Sequence, residues 1–157
     1  MGFKTFSNDF LNFNNQIGLA LIENKEFKLT KEDLKLFFQP ATNKTDFELM
    51  ENAFTNVFFE KDEAEFLDNF RANIPLLDNT FKQAIAYTVI NRSMTRKITM
   101  GHFGPTQALV HASDPERIKR NRSLVRPIKE IFEELLPSTT MLFLTTKKKT
   151  AVSTKIF

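Results

Sequence analysis

The sequence predicts a mainly α fold, a compact multi-helix domain of five to seven helices, some short, with a C-terminal β-hairpin. Three observations carry this. Apolar residues recur at helical intervals of three and four through most of the first 136 positions. Ser or Thr stands three places ahead of an acidic residue at three apparent helix starts, the pattern of a capping box. Beyond Pro137 the composition turns to β-formers. With 157 residues, 41% of them hydrophobic and 26% charged, the chain suits one domain with a buried core, spanning 1–157.

The elements follow in order. Ser7 to Glu23 reads as a first helix, capped at Ser7 or Asn8, with Phe10, Phe13, Ile17 and Leu21 on one face. Thr30 and Asp33 open a two-turn helix through Leu34, Leu36, Phe37 and Phe38 that Pro40 ends. Thr45 and Glu48 open a third, whose face runs through Phe47, Met50, Phe54, Val57 and Phe58. The acidic run Glu60–Glu63 breaks it, and Phe66, Leu67 and Phe70 restart an apolar face before Pro75. Asp78 caps a long helix to about Ile98, with Phe81, Ala84, Ile85, Thr88 and Val89 inward.

Two glycines and a proline within Gly101–Pro105 make the clearest break, a turn or hinge. Ser113 with Glu116, and Pro115 in the first turn, start a helix near Asp114. Pro127 splits its continuation into about Pro115–Ser123 and Pro127–Leu136. Pro137 then ends the helical part, and Thr139–Thr145 and Ala151–Phe157 form the hairpin about Lys147–Thr150.

Charge changes sign along the chain. Residues 1–90 hold nine Lys and Arg against fourteen Asp and Glu, and residues 91–157 hold thirteen against five. The halves are therefore an acidic, Phe-rich helical part (1–98) and a basic helical part with the terminal hairpin (99–157). The basic constellation is Arg92, Arg96 and Lys97, then Arg117, Lys119, Arg120, Arg122, Arg126 and Lys129, then Lys147, Lys148 and Lys149. On one continuous helix, Lys119, Arg122, Arg126 and Lys129 share a stripe apart from the apolar Ile118, Val125, Ile128, Phe132 and Leu135. Such a stripe fits successive phosphates of a nucleic acid, or an acidic protein surface, unless the acidic half already neutralises it. The segment has one amide side chain, Asn121, to read a base edge, so backbone or shape recognition is expected.

Other chemistries are poorly served. Without cysteine there is no disulfide, thiolate ligand or Cys nucleophile. His102 and His111 lack metal-ligand spacing, and no metal or other cofactor is expected. His111, Ser113 and Asp114 supply triad residue types, yet Ser113 fits a helix cap better and no nucleophile elbow occurs. Gly101–Gly104 has no phosphate-loop spacing, and the carboxylates of Glu60–Asp68 read as solvated. No apolar run reaches a membrane span, and the first residues resemble neither a secretory signal nor a myristoylation site. Eighteen of nineteen aromatics are Phe, which AT-rich codon usage explains, and the pairs Phe37-Phe38 and Phe58-Phe59 either fill the core or expose one member as a contact surface.

These features point to a non-enzymatic binding and assembly protein. Its basic half contacts nucleic acid or another polyanion, and its Phe-rich helices or hairpin contact other protein subunits. A small component of a nucleoprotein particle, a virion or a phage assembly fits, with a cytoplasmic or virion-associated location. One alternative is a small enzyme for a phosphorylated or anionic substrate, using Arg92, Arg96, His102 or His111 near the Gly101–Pro105 turn. Another is an inhibitor or modulator acting through a protein interface on its acidic half.

Overall fold

A computed structural model describes residues 6–7, 11–42, 48–98, 109, 112–144 and 151–152. The first helix, α1 (Asn12–Gly18), continues into a π-helical turn, Leu19–Glu23, closed by the Asn24 N–H on the Leu19 carbonyl at 2.9 Å. Leu11 stands at its N-cap and Ser7 lies outside it, in a two-residue strand, so the expected cap at Ser7 is not used. The buried positions are the small ones, Gly18 and Ala20, while Phe13 is 49% exposed. Small side chains suit a close approach to the long central helix; of the expected face, Leu21 packs partly against the core while Phe13 does not.

The expected capping box forms at Thr30, whose hydroxyl accepts from the Asp33 N–H while Asp33 accepts from the Thr30 N–H, starting α2 (Lys31–Phe37). Two asparagines one turn apart on α4 (Lys61–Asn73) secure its other end. Asn69 donates to the carbonyls of Phe37 and Gln39 and accepts from the Ala41 N–H; Asn73 donates to Leu36 and Gln39. They satisfy carbonyls that the end of a helix leaves without partners. Lys82 ties α2 to the central helix through Asp33 at 3.2 Å and also pairs with Asp78. The Asp33 hydrogen bond, outweighing burial, raises the Lys82 ammonium above its ordinary 10.5. A raised pKa contributes stability that is complete below the unfolded value and lost as pH rises through the folded one. Unfolding experiments across pH 9–12 are therefore expected to show Lys82→Met losing the wild type's alkaline decline in part, and equal declines would contradict the assignment.

The third helix, α3 (Leu49–Phe54), is shorter than its apolar pattern suggests. Thr45 lies outside the described residues, and Glu48 at the N-cap makes no side-chain bond. The cap comes instead from α4: both oxygens of the fully buried Asp68 accept, from the N–H groups of Met50 at 3.0 Å and Glu51 at 2.9 Å. Asn56, at φ 59°, then turns the chain, with its N–H on the Phe59 carbonyl and a bridge from Thr55 to Phe59. Asn tolerates this left-handed conformation better than most residues. The helix thus stops before Val57, and Phe59 is delivered to the core. Asp68→Ala is expected to cost about 2–4 kcal/mol of unfolding free energy, because two helix N–H groups lose a charged acceptor. Asp68→Asn, which keeps one oxygen, costs less, and a loss under about 0.5 kcal/mol for the alanine variant, the range of an ordinary surface substitution, would contradict the role.

A 3-10 turn, Ile74–Leu76, leads to α5 (Thr80–Lys97), capped by Asn79, which accepts from Phe81 and Lys82, rather than by Asp78. Of its predicted inner face, Ala84, Ile85, Thr88 and Val89 are buried and Phe81 is half-buried. This helix packs on α1, the π-helical turn and the last helix. Asp114, rather than Ser113, caps α6 (Pro115–Arg120), with Pro115 at its start. Asn121 ends it and caps a 3-10 turn, Arg122–Val125, and Pro127 precedes α7 (Ile128–Leu144). The core joins the two charge halves: Phe70 stacks on Phe37 with centroids at 4.4 Å and meets Phe132 edge-on at 5.0 Å. Phe37 and Phe59 are fully buried, while their neighbours Phe38 and Phe58 pack partly against the core.

The C-terminal β-hairpin is not formed. Residues expected as its first strand, 139–144, continue α7 through Pro137, and Ala151–Val152 (β2) pairs in parallel with Phe6–Ser7 (β1). Proline removes one backbone donor and disfavours the turn before it, but a single lost bond does not end a helix whose apolar face is anchored by Ile128, Ile131, Phe132 and Leu135. The Ser138 hydroxyl donates to the Leu135 carbonyl at 2.8 Å beside the break. Contact with other protein subunits through that hairpin falls with it.

Candidate nucleic-acid interface

The basic residues do not share one helix. Lys119 lies on α6, Arg122 in the 3-10 turn, Arg126 in the connection before Pro127, and Lys129 in the first turn of α7. The chain between α6 and α7 is held to the end of α5 at both ends. Asn121 Nδ2 donates to the Arg96 carbonyl at 3.0 Å, and Lys97 Nζ to the Arg126 carbonyl at 2.7 Å. Asn121 Oδ1 accepts from the Ser123 N–H, so both ends of the amide expected to read a base edge are used inside the fold.

Internal partners sort the cations. Lys97, 11% exposed, pairs with Glu63 of α4 at 2.7 Å, joining the end of α5 to the start of α4. Arg96 and Arg126 converge on Glu134 of α7, and Arg126 also reaches Glu130 at 3.5 Å. The Arg126 hydrogen bond, with the charges of Arg126 and Arg96, holds the Glu134 carboxyl below its ordinary 4.5, and Glu134 raises Arg126 in turn. Arg117 meets Asp114 at 3.6 Å, and the Lys129 ammonium lies 4.0 Å from the centre of the Phe38 ring. Lys119, Arg120 and Arg122 differ. They are exposed, and among the described residues they form no ion pair. Arg92 is exposed on α5, and Lys147, Lys148 and Lys149 lie outside the described residues.

Most of this neutralisation comes from carboxylates of the basic stretch itself, Asp114, Glu130 and Glu134, with Glu63 contributed by the acidic one. Glu134 was not legible as a partner, because it stands eight residues from Arg126 and on the far side of a proline; the Arg126–Glu130 spacing was the available signal. Next to this surface a groove of about 390 Å³ runs between the start of α4 and the segment before α7. Among the described residues, Glu60, Asp62 and Glu63 line one wall with Lys97 as the one cation; Leu124, Val125 and Pro127 are among the apolar residues opposite. Three carboxylates against one ammonium among the described lining residues do not favour an anionic substrate there. The Gly101–Pro105 turn, His102 and His111, on which an alternative active site was expected, lie outside the described residues. Among those described, no helix is long and apolar enough to cross a membrane.

Comparison with known proteins adds what geometry does not. Over 102 residues, 65% of this chain, the sequence is 40% identical to Type II methyltransferase M2.HphI of Haemophilus parahaemolyticus. The likeness is to an enzyme. It corrects the expectation of a non-enzymatic assembly protein, and with it the virion and phage readings. The matched stretch is 30% of that methyltransferase, so this chain spans less than a third of its relative's length. No family model matches the sequence. No solved structure matches it either. Residue spacing carries no signal of this likeness: the sequence has neither a glycine-rich nucleotide loop nor a nucleophile motif.

Proposed function

We propose that this chain serves an enzyme that methylates DNA, and that its helices supply contacts to the DNA. The 40% identity with part of M2.HphI is the observation that carries the reading. The charge distribution supports the DNA-contacting role. Lys119, Arg120 and Arg122 stand together at the α6 end, uncompensated by internal pairs among the described residues, on a segment braced to α5 through Asn121 and Lys97. Bracing lowers the ordering cost of binding, and three exposed cations on a rigid segment suit a run of phosphates. With Asn121 committed to capping, recognition by this segment rests on the backbone and on whatever base edge an arginine reaches.

The test uses the protein in its own host. Cells carrying Lys119→Glu, Arg120→Glu and Arg122→Glu together at the native gene are expected to contain fewer methylated bases, counted by mass spectrometry of their DNA, at unchanged protein abundance. Methylated-base content equal to the wild type's would overturn the proposal.

A further inference from the structure

Arg96 and Arg126 come from different elements, the last turn of α5 and the connection before α7, yet both guanidiniums reach one carboxylate. Arg96 NH1 lies 3.0 Å from Glu134 Oε1, and Arg126 NH1 bonds Glu134 Oε2. The three side chains are not sealed: Arg96 is 45% exposed, Arg126 33% and Glu134 44%. Two forked donors aimed at the paired oxygens of a single anion match a phosphodiester as well as a carboxylate. We infer that Arg96 and Arg126 form a phosphate-binding clamp whose seat Glu134 occupies from within the chain.

The placement fits the DNA-contacting reading, on which this inference rests. Asn121, which sits between Arg120 and Arg122, donates to the backbone carbonyl of Arg96, so the clamp adjoins the exposed cations. A strand laid along Lys119, Arg120 and Arg122 carries its next phosphates toward Arg96 and Arg126. There a phosphate displaces Glu134, while Glu130 stays at 3.5 Å from Arg126 and balances the second guanidinium. Exposed ion pairs are weakly held and screened by salt, so the exchange is accessible at physiological ionic strength. Glu134 thus restrains binding: the full cationic surface opens only to a polyanion that outcompetes it.

Glu134→Gln removes the competitor and keeps the shape. Binding of a 20-base-pair duplex by fluorescence anisotropy is expected to tighten about 10-fold over the wild type, with a log–log salt slope steeper by about one to two units as phosphates engage the freed arginines. The neighbouring, exposed Glu133→Gln makes the same change in net charge without touching the clamp, and is expected to alter affinity by less than about 3-fold, since an exposed charge outside the contact is screened. Adding Arg96→Ala and Arg126→Ala to Glu134→Gln should abolish the gain. Equal effects of the Glu134 and Glu133 substitutions would overturn the clamp while leaving the DNA-contacting role standing; absence of duplex binding by every variant would overturn both. Because Glu134→Gln also removes two ion pairs, a second readout uses the unaltered protein: the Nε–H resonances of Arg96 and Arg126 should shift when the duplex is added, and unmoved resonances beside shifting Arg122 would rule the clamp out.

Discussion

Replacing Phe70 by alanine is expected to lower the unfolding free energy by about 3–5 kcal/mol, the range for removing a buried aromatic ring from a packed core. Phe70 is fully buried and touches rings on three sides, Phe37 of α2, Phe66 of α4 and Phe132 of α7, with centroids at 4.4, 5.9 and 5.0 Å. Those contacts join the acidic and the basic halves of the sequence, so the cavity opens where the two meet. At about 2–4 °C per kcal/mol for a chain of this size, the melting temperature falls by roughly 6–20 °C. Phe70→Leu, which refills much of the volume, should recover a good part of the loss. An alanine variant within about 1 kcal/mol of the wild type would mean that the three rings do not form the centre of the core.

Charge reversal at Lys119, Arg120 and Arg122 is the second large effect. Each cation that meets a phosphate releases counterions, and each replacement by glutamate adds repulsion where attraction stood. The triple variant is expected to bind a 20-base-pair duplex on the order of 100-fold or more weakly at low salt, with a slope shallower by about three units. Stability should be little changed, because these side chains are exposed and take part in no ion pair among the described residues. The same three changes at Lys97, Arg126 and Arg117 would mix binding with folding: Lys97 and Arg126 already hold Glu63 and Glu134, and Arg117 meets Asp114. This contrast separates cations that face outward from cations that build the surface.

Several helices were legible from local signals, although the caps of α5 and α6 fell one residue along, at Asn79 rather than Asp78 and at Asp114 rather than Ser113. The capping box at Thr30 and Asp33, the inner face of α5 and the split at Pro127 all depend on residues within a turn or two of one another. What escaped depends on partners far along the chain. Asp68 caps a helix seventeen and eighteen residues before it, Asn69 and Asn73 hold carbonyls some thirty residues away, and the Asn56 turn shortens α3 against its apolar pattern. Pro137 misled because a proline removes one backbone donor without obliging a helix to end, and α7 continues through it. At the candidate interface the cations were visible as a composition, whereas their division into paired and unpaired sets was not. That division depends on Glu63 and Glu134, acids with no spacing relation to the residues they neutralise. The likeness to a methyltransferase left no trace in motif spacing.

The most direct test of the DNA-contacting role is fluorescence anisotropy of a labelled 20-base-pair duplex with the unaltered protein over a salt series. A binding constant that falls linearly with salt on logarithmic axes, with a slope of about three or more that the Lys119, Arg120 and Arg122 reversal removes, is the predicted result. No binding at low salt, or binding that the reversal leaves intact, would contradict it.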